Sequence, residues 1–409
     1  MTLAIERSTA IGRFPNEQAG TVLQDTCTAT VFKSLSEAEA VWRRLEAADA
    51  ILTPYQRFDW LEALHEAGAE PDGRVAIVVL VDGETPIALL PLIAFRQGAF
   101  THARLLGAPL SNSDSMIIRR DYAGHITPAR IMSMFAAAQR ALGGLDLVRF
   151  TNLPQSFGGI PNPLIGPDAE LSANNLYCTA IAPTNGPFIE TGLSAKRRSN
   201  IQRGSRRLAE QFGPVRLVEV SDEETLRRVH AEFLRQRGQR FEQMGITNIF
   251  AQDYFVRFFI QAAMRGFGKD RPALRFHALY AGEEIVATCC GAYAGTHYSQ
   301  YINSTSGGPA AKYSLSGVLM ALLMDQLLAE GVRSIDMGTG DFDYKTDWTA
   351  ATPIFDSVIP LTAQGRIAVP MFDGLRAAKR ALKQNPRLWP LVVSARKGLH
   401  RLRRSGGRI

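Results

Sequence analysis

The chain has 409 residues, a length that suits two domains or one large one. Its apolar share of 46% and charged share of 21% exclude disordered, collagen-like and coiled-coil architectures. No run of 18 consecutive apolar residues occurs, so no segment is expected to span a membrane. The opening Met1-Thr2-Leu3-Ala4-Ile5-Glu6-Arg7 lacks the basic, apolar and small-residue regions of a secretory leader. Four cysteines, two of them adjacent (Cys289, Cys290), form neither a disulfide framework nor a zinc spacing. A reducing cytoplasm is the expected compartment.

Charge is unevenly placed. Lys and Arg total 46 against 39 acids, for a net charge of +7. The stretch 375–409 carries eleven basic residues and no acid, and Lys196 to Arg207 carries six more. Removing these seventeen leaves 29 basic against 39 acidic residues. Two local features therefore make the protein basic. Each is either a solvated face or the footprint of an anionic partner such as a phosphate-bearing ligand, a membrane surface or RNA.

In chain order, Ser34-Leu35-Ser36-Glu37 predicts a capped amphipathic helix with Val41, Trp42 and Leu45 on one face. A second helix is expected from Gln56 to Glu66. Val75 to Val81 and Ile87 to Ile93 flank Asp82-Gly83 and read as a hairpin. Thr127-Pro128 starts a helix as cap and first residue, Gly143-Gly144 ends it, and Leu145 to Thr151 follows as a strand. The order then repeats. Ser221-Asp222-Glu223-Glu224 opens a helix to about Arg237, and another runs from about Gln252 to Met264. Apolar runs at Leu274 to Tyr280, Ile285 to Tyr293 and His297 to Asn303 lead through a Gly/Ser loop into a helix from Leu315 to Glu330. Val332 to Met337 is the next strand. The Pro/Gly/Asn-rich stretch Asn152 to Pro187 reads as a linker. The expected division is residues 30–185, residues 186–365 and a basic tail at 366–409.

Three stretches resemble the CelD-type acetyltransferases of cellulose and exopolysaccharide biosynthesis, members of the GNAT superfamily related to Fem-type aminoacyl transferases. They are Phe58-Asp59-Trp60-Leu61 with Ala88-Leu89-Leu90-Pro91-Leu92, the basic segment Leu193 to Arg198 with Asn200 and Arg203, and Tyr298 to Trp348. The last ends in Ile335-Asp336-Met337-Gly338-Thr339-Gly340-Asp341-Phe342-Asp343-Tyr344-Lys345-Thr346-Asp347-Trp348. The resemblance spans roughly residues 35–365. It implies an α/β (α+β) fold of two tandem GNAT-like domains, each a mixed, mainly antiparallel sheet flanked by helices, with a degenerate first copy and a basic helical tail.

A GNAT-like enzyme holds the coenzyme A pyrophosphate where a loop enters a helix, because free first-turn amides and the helix dipole favour an anion there. The matching segment is Ser304 to Gly308 followed by Lys312, Tyr313, Ser314, Leu315, Ser316 and Gly317. Lys312 adds charge, and Ser314 or Ser316 is positioned to cap. The Q/R-x-x-G-x-G/A pattern of typical GNAT enzymes is absent. In the first copy, Ser111 to Ser115 has neither glycine pair nor lysine and is read as non-binding. Alternatively, the second-copy segment is an ordinary capped core helix.

The loop after Met337 is the catalytic candidate, since it follows the end of a strand. Asp341 and Asp343 are placed to accept a proton, directly or through water. Tyr344 is placed to protonate a leaving thiolate, and Lys345 to steady an oxyanion. By resemblance, Lys345 takes the role of the lysine in the Fem-type FK..F motif. The competing reading is a salt-bridged turn with Trp348 in the core. Tyr298, Tyr301 and Asn303 are candidate acceptor-site residues or an aromatic sheet face. His277, Cys289 and Cys290 are read as core residues, with the two cysteines on opposite faces of a strand.

The resemblance implies acyl transfer from acetyl-CoA or another acyl-CoA, without a metal, to a small-molecule or saccharide acceptor in envelope-polymer synthesis. Two alternatives remain: a Fem-like transferase using aminoacyl-tRNA, or an inactive GNAT scaffold. The cationic tail, with Trp389 between Pro386 and Pro390, reads as a packed appendage or as a peripheral contact with an anionic inner-membrane surface.

Overall fold

The structure is a computed structural model that describes residues 27–340 and 342–385. In the first half, β1 (Cys27–Phe32), α1 (Leu35–Ala47), β2 (Ala50–Ile51) and α2 (Phe58–Glu66) precede β3 (Arg74–Asp82), β4 (Thr85–Gln97), β5 (Phe100–Leu105) and β6 (Ile117–Arg119). Next come α3 (Pro128–Ala141), β7 (Leu147–Pro154), a small ribbon of β8 (Ser156–Phe157) and β9 (Ile160–Pro161), and β10 (Glu170–Ala180). The second half runs α4 (Phe188–Gly192), α5 (Ala195–Phe212), β11 (Val215–Glu219), α6 (Glu223–Met244), α7 (Asp253–Met264), β12 (Arg275–Ala281), β13 (Glu284–Ala294) and β14 (His297–Thr305). It ends with α8 (Leu315–Ala329), β15 (Ser334–Thr339), β16 (Ala350–Pro360) and α9 (Ala363–Gln384).

Local chemistry accounts for many of these boundaries. Ser34 accepts from the Glu37 amide, while Glu37 reaches back to the Lys33 amide. At α6 the cap is Asp222, one residue later than the expected Ser221, and it accepts from the Thr225 amide. That helix continues past Arg237 to Met244, where Gly245 ends it in the left-handed region. The long apolar run in β3 reflects burial on both sides of the sheet. Ile77 and Val79 join one core with Trp42 and Trp60, whereas Ala76, Val78 and Leu80 join another with Phe135.

The two halves share one topology. The order β1-β3-β4-β5-β7 matches β11-β12-β13-β14-β15, and in each half the final pair is parallel. The connection between them departs from expectation. The stretch predicted to be a linker contains β10, which pairs with β15 of the second half. Reciprocally, β16 pairs with β7 of the first half, and β10 and β16 pair with each other. Each half thus lends a strand to its counterpart, making one mixed 14-stranded sheet that crosses the expected 185/186 boundary. The shared core reinforces this union. Trp60 of α2 packs edge-on against Phe258 of α7 at 4.9 Å and against Tyr301 of β14 at 5.1 Å. Trp60 and Phe258 are fully buried, and each such side chain contributes roughly 1.5–3 kcal/mol.

Candidate active site

β14 and β15 are hydrogen-bonded in register only between His297–Ser299 and Ser334–Asp336, then separate. A cavity of about 460 Å³ occupies the gap. Gln300 to Asn303 and Met337 to Thr339 form its two lips, and Lys345 and Tyr344 also line it. An adjoining cavity of about 510 Å³ is bounded by Ser304 to Gly307, Ser316 and the C-terminal part of α6. Arg237, Asn303, Phe342 and Tyr344 border both. The loop after β14 and the turn after β15 therefore converge, as their positions in sequence imply.

The first half has the same divergence, but it is filled. β5 and β7 pair only at His102–Ala103 and Leu147–Val148. The loop after β5 then bonds along the freed edge of β7. The Asp114 amide donates to the Asn152 carbonyl at 3.0 Å, and Asn152 Nδ2 donates to the Ser111 carbonyl at 2.9 Å. Asn112, from the same loop, reaches across and accepts from the Thr339 amide at 3.3 Å. Gly338 (φ +70°) makes room for it, since a Cβ there would lie 2.7 Å from Asn112 Nδ2. Ser111 to Asp114 is thus a plug in its own half, and Asn112 is a wall of the second-half cavity.

A buried polar chain fixes this junction. Asp336, fully buried, accepts from the Gly338 amide and the Ser299 hydroxyl, both at 2.8 Å, and contacts His297 Nε2 at 2.8 Å. Ser299 meets Tyr55 at 2.6 Å, and Asn112 Nδ2 donates to the Tyr55 hydroxyl at 2.8 Å. Asp336 thus ties β14 to β15 at the point where they part.

Lys345 is not a mobile loop cation. It is 4% exposed, and Nζ donates to the carbonyls of Thr339 (2.9 Å) and Gly338 (3.3 Å) while sitting 5.3 Å from the Tyr177 ring centre. It thereby satisfies carbonyls at the open end of β15. Tyr344 bonds the Asn303 side chain, and burial raises its phenol pKa. Asp341 lies outside the described residues, as does the Asp343 carboxylate. Arg197 of the basic helix pairs with Asp347 of the same turn at 3.1 Å. Trp348 is buried beside Phe188.

The sequence-predicted acceptor residues separate. Tyr301 and Asn303 line the first cavity. Tyr298 does not: it is fully buried on the α8 side, packed on Tyr293, with its ring over the space left by Gly291. Alternation itself puts Tyr298 on the face opposite Tyr301, three residues on, and a bulge follows between Tyr298 and Asn303. Cys290 pairs with Ile302 and Gly291 with Gln300, leaving Tyr301 as the extra residue.

The predicted cofactor segment separates too. Ser316 lines the second cavity, but Leu315 is core, and a Cβ on Gly317 would lie 2.9 Å from Ile201 of α5. Ser314 is left-handed (φ 53°) and makes no side-chain cap bond. Tyr313 packs on Phe212 and donates to Gln211, and Lys312 projects over the Tyr313 ring rather than lining a cavity. The first turn of α8 is sealed by α5, where Gly204 abuts the Tyr313 carbonyl. His277, Cys289 and Cys290 are buried, with Cys289 pushed up to about 12 and His277 down to about 3 by burial. The two cysteines join different cores, as alternation predicts.

Three residues at the cavity were not singled out by sequence. Gln300 is 3% exposed, and its Nε2 has no hydrogen-bond partner among the described residues. Arg237 lies over the Phe241 ring at 4.9 Å with no described carboxylate partner, and burial lowers its pKa. Asp356 of β16 accepts from the Asn152 amide at 3.1 Å, and burial raises its carboxyl pKa. It is the carboxylate lining this cavity among the described residues. No sequence signal marks these three, because Asp356 arrives on an exchanged strand and nothing local says which face of β14 or α6 meets the cavity.

Residues 195–346 match the family model described as an acetyltransferase (GNAT) domain. Among solved structures, the chain is similar to FemX at 11% identity and a TM-score of 0.53, covering 80% of this chain and 96% of that one. It is also similar to the C-terminal domain (DUF2156) of a protein described as a lysylphosphatidylglycerol synthetase from Agrobacterium fabrum. That match has 12% identity and a TM-score of 0.50, covering 82% and 96% of the respective chains. A search of curated proteins finds no match by sequence. The two structural likenesses each cover both halves of the fold, and the domain match falls on the half whose cleft is open. The chain carries a GNAT acetyltransferase domain at residues 195–346 and is an acyltransferase.

Proposed function

We infer that the chain transfers an acyl group from an acyl-CoA thioester, acetyl-CoA first among them, to an amine or hydroxyl of a polar acceptor such as a saccharide or envelope-polymer precursor. The observation that carries this reading is the open β14/β15 divergence, with two cavities joined at Arg237, Asn303 and Tyr344. An elongated ligand with an anionic end fits such a path. Arg237 and Arg240 supply positive charge along the second cavity, and Gln300 offers an unused donor in the first. These groups support the fit of a thioester with its phosphates toward α6.

Each residue has a defined task. Asp356 accepts the proton from the acceptor nucleophile as the new bond to the acyl carbon forms. Gln300 Nε2 donates to the acyl oxygen as it gains negative charge, with Lys345 adding positive potential. Tyr344 gives its proton to the departing sulfur as the carbon–sulfur bond breaks. Calorimetry on the full-length protein tests the donor. Acetyl-CoA should bind, and Arg237→Met should weaken binding by about tenfold while the melting temperature holds. Binding of aminoacyl-tRNA without any binding of a CoA thioester would replace this reading with the Fem-like one. Equal acetyl-CoA affinity in parent and variant would move the ligand elsewhere.

A further inference from the structure

The helix α9 is oriented against the usual pattern, with cations inward and large apolar side chains outward. Its sheet-facing side carries Arg376, which pairs with Glu170 and Asp373 at 2.9 Å each, Arg380, bonded to the Leu171 carbonyl, and Lys383, bonded to Asn174. Phe372 packs there too, under Arg149 at 5.2 Å. The opposite side presents Ile367 (81% exposed), Met371 (49%), Leu375 (64%) and Leu382 (39%). Their spacing places all four on one stripe. Gly374 and Ala378 fall between them, so the stripe has no charged interruption. Exposed Arg366 and Lys379 flank it, and the chain continues from 386 to 409 with seven cations and no acid.

We propose that the outer face of α9 docks on an anionic lipid surface, lying in the interface plane with its apolar stripe toward the acyl chains. A contiguous apolar stripe bordered by cations is the composition such a surface binds, through buried area plus attraction to acidic headgroups. No described helix is long and apolar enough to cross a membrane, so the contact is superficial. A symmetric contact between two copies through this stripe would bring two seven-cation segments together, and their repulsion opposes it. Lys379 lines the candidate active-site cavity, so docking brings that cavity close to the lipid surface. The full-length protein should co-sediment with phosphatidylglycerol-containing vesicles, bind pure phosphatidylcholine at least tenfold more weakly, and lose affinity in high salt. Met371→Glu with Leu375→Glu should weaken binding to the anionic vesicles by at least tenfold at an unchanged melting temperature. Equal binding by parent and variant overturns the proposal. So does a dimeric parent whose variant is monomeric. A lipid-free Trp389 emission that shifts to the red in the variant also overturns it, since the chain's own tail would then cover the stripe.

Discussion

Replacing Gln300 with leucine separates a functional donor from a structural one, because the two roles predict opposite stability changes. Gln300 is nearly fully buried and its Nε2 has no described partner. A buried, unsatisfied donor costs about 1–3 kcal/mol, and leucine of similar size removes that cost without opening a cavity. Gln300→Leu should therefore be at least as stable as the parent, with a gain of about 1 kcal/mol read as a higher urea midpoint. If Nε2 steadies the acyl oxygen during transfer, the same change removes about 3–4 kcal/mol of barrier stabilisation, a fall of about 10²–10³ in turnover. Initial rates of thiol release from acetyl-CoA and urea unfolding, measured on one preparation, provide both numbers. A less stable variant with unimpaired turnover would refute the argument, since Gln300 would then be a packing residue.

Lys345→Met should lower both stability and turnover, because the buried ammonium holds the Gly338 and Thr339 carbonyls, charge-assisted contacts worth about 1.5–3 kcal/mol each. A flexible loop lysine would leave the melting temperature unchanged, so thermal unfolding alongside an activity assay decides the point. Asp114 has its carboxyl pKa raised to about 8 by burial, offset by bonds from Ser111 and Gln56. The folded protein keeps that proton while the unfolded chain loses it above about pH 4, so this group's stabilising contribution is full at low pH and lost as pH rises toward 8. Asp114→Asn should flatten the fall in urea midpoint over that window, and an unchanged slope would assign it to other groups. Separate fragments 27–185 and 186–385 should each fail to fold, while their co-expression restores soluble complex, because β10 and β16 are exchanged. A well-dispersed amide spectrum from either fragment alone would contradict this.

The local elements were legible because their signals are local. The Ser34 and Thr127 caps, the glycine turn at Gly83, and the two helix-then-meander units all form as the residues predict. Non-local pairing was not legible. Nothing in Glu170 to Ala180 marks it as the partner of β15 rather than a linker, since its alternation specifies a strand without naming a neighbour. The site was half legible for the same reason. Lys345, Tyr344, Tyr301 and Asn303 sit on the strand ends and turn where the chemistry was expected. Tyr298 was lost to alternation, which turns it to the α8 side of the sheet opposite Tyr301, and Gly317 to the close packing of α5. Arg237 was hidden because it sits at the predicted end of α6, and nothing local says which helix face meets the cavity. Asp356 was hidden because it arrives on an exchanged strand.

The asymmetry between the halves follows from how each satisfies the strand edge freed by its divergence. Where two parallel strands part, their backbone groups lose partners and must find others. In the first half, backbone and side chains of Ser111 to Asp114 bond Asn152, so the loop itself occupies the gap. In the second half, one lysine side chain serves the carbonyls of Gly338 and Thr339, while Asn112 serves the Thr339 amide from outside. Two slender side chains replace a loop, and the space saved is the cavity. The first copy is thus more than a degenerate duplicate. Its plug closes one site and supplies a wall of the other, which makes Asn112 and Lys345 a matched pair holding β15 open from its two sides.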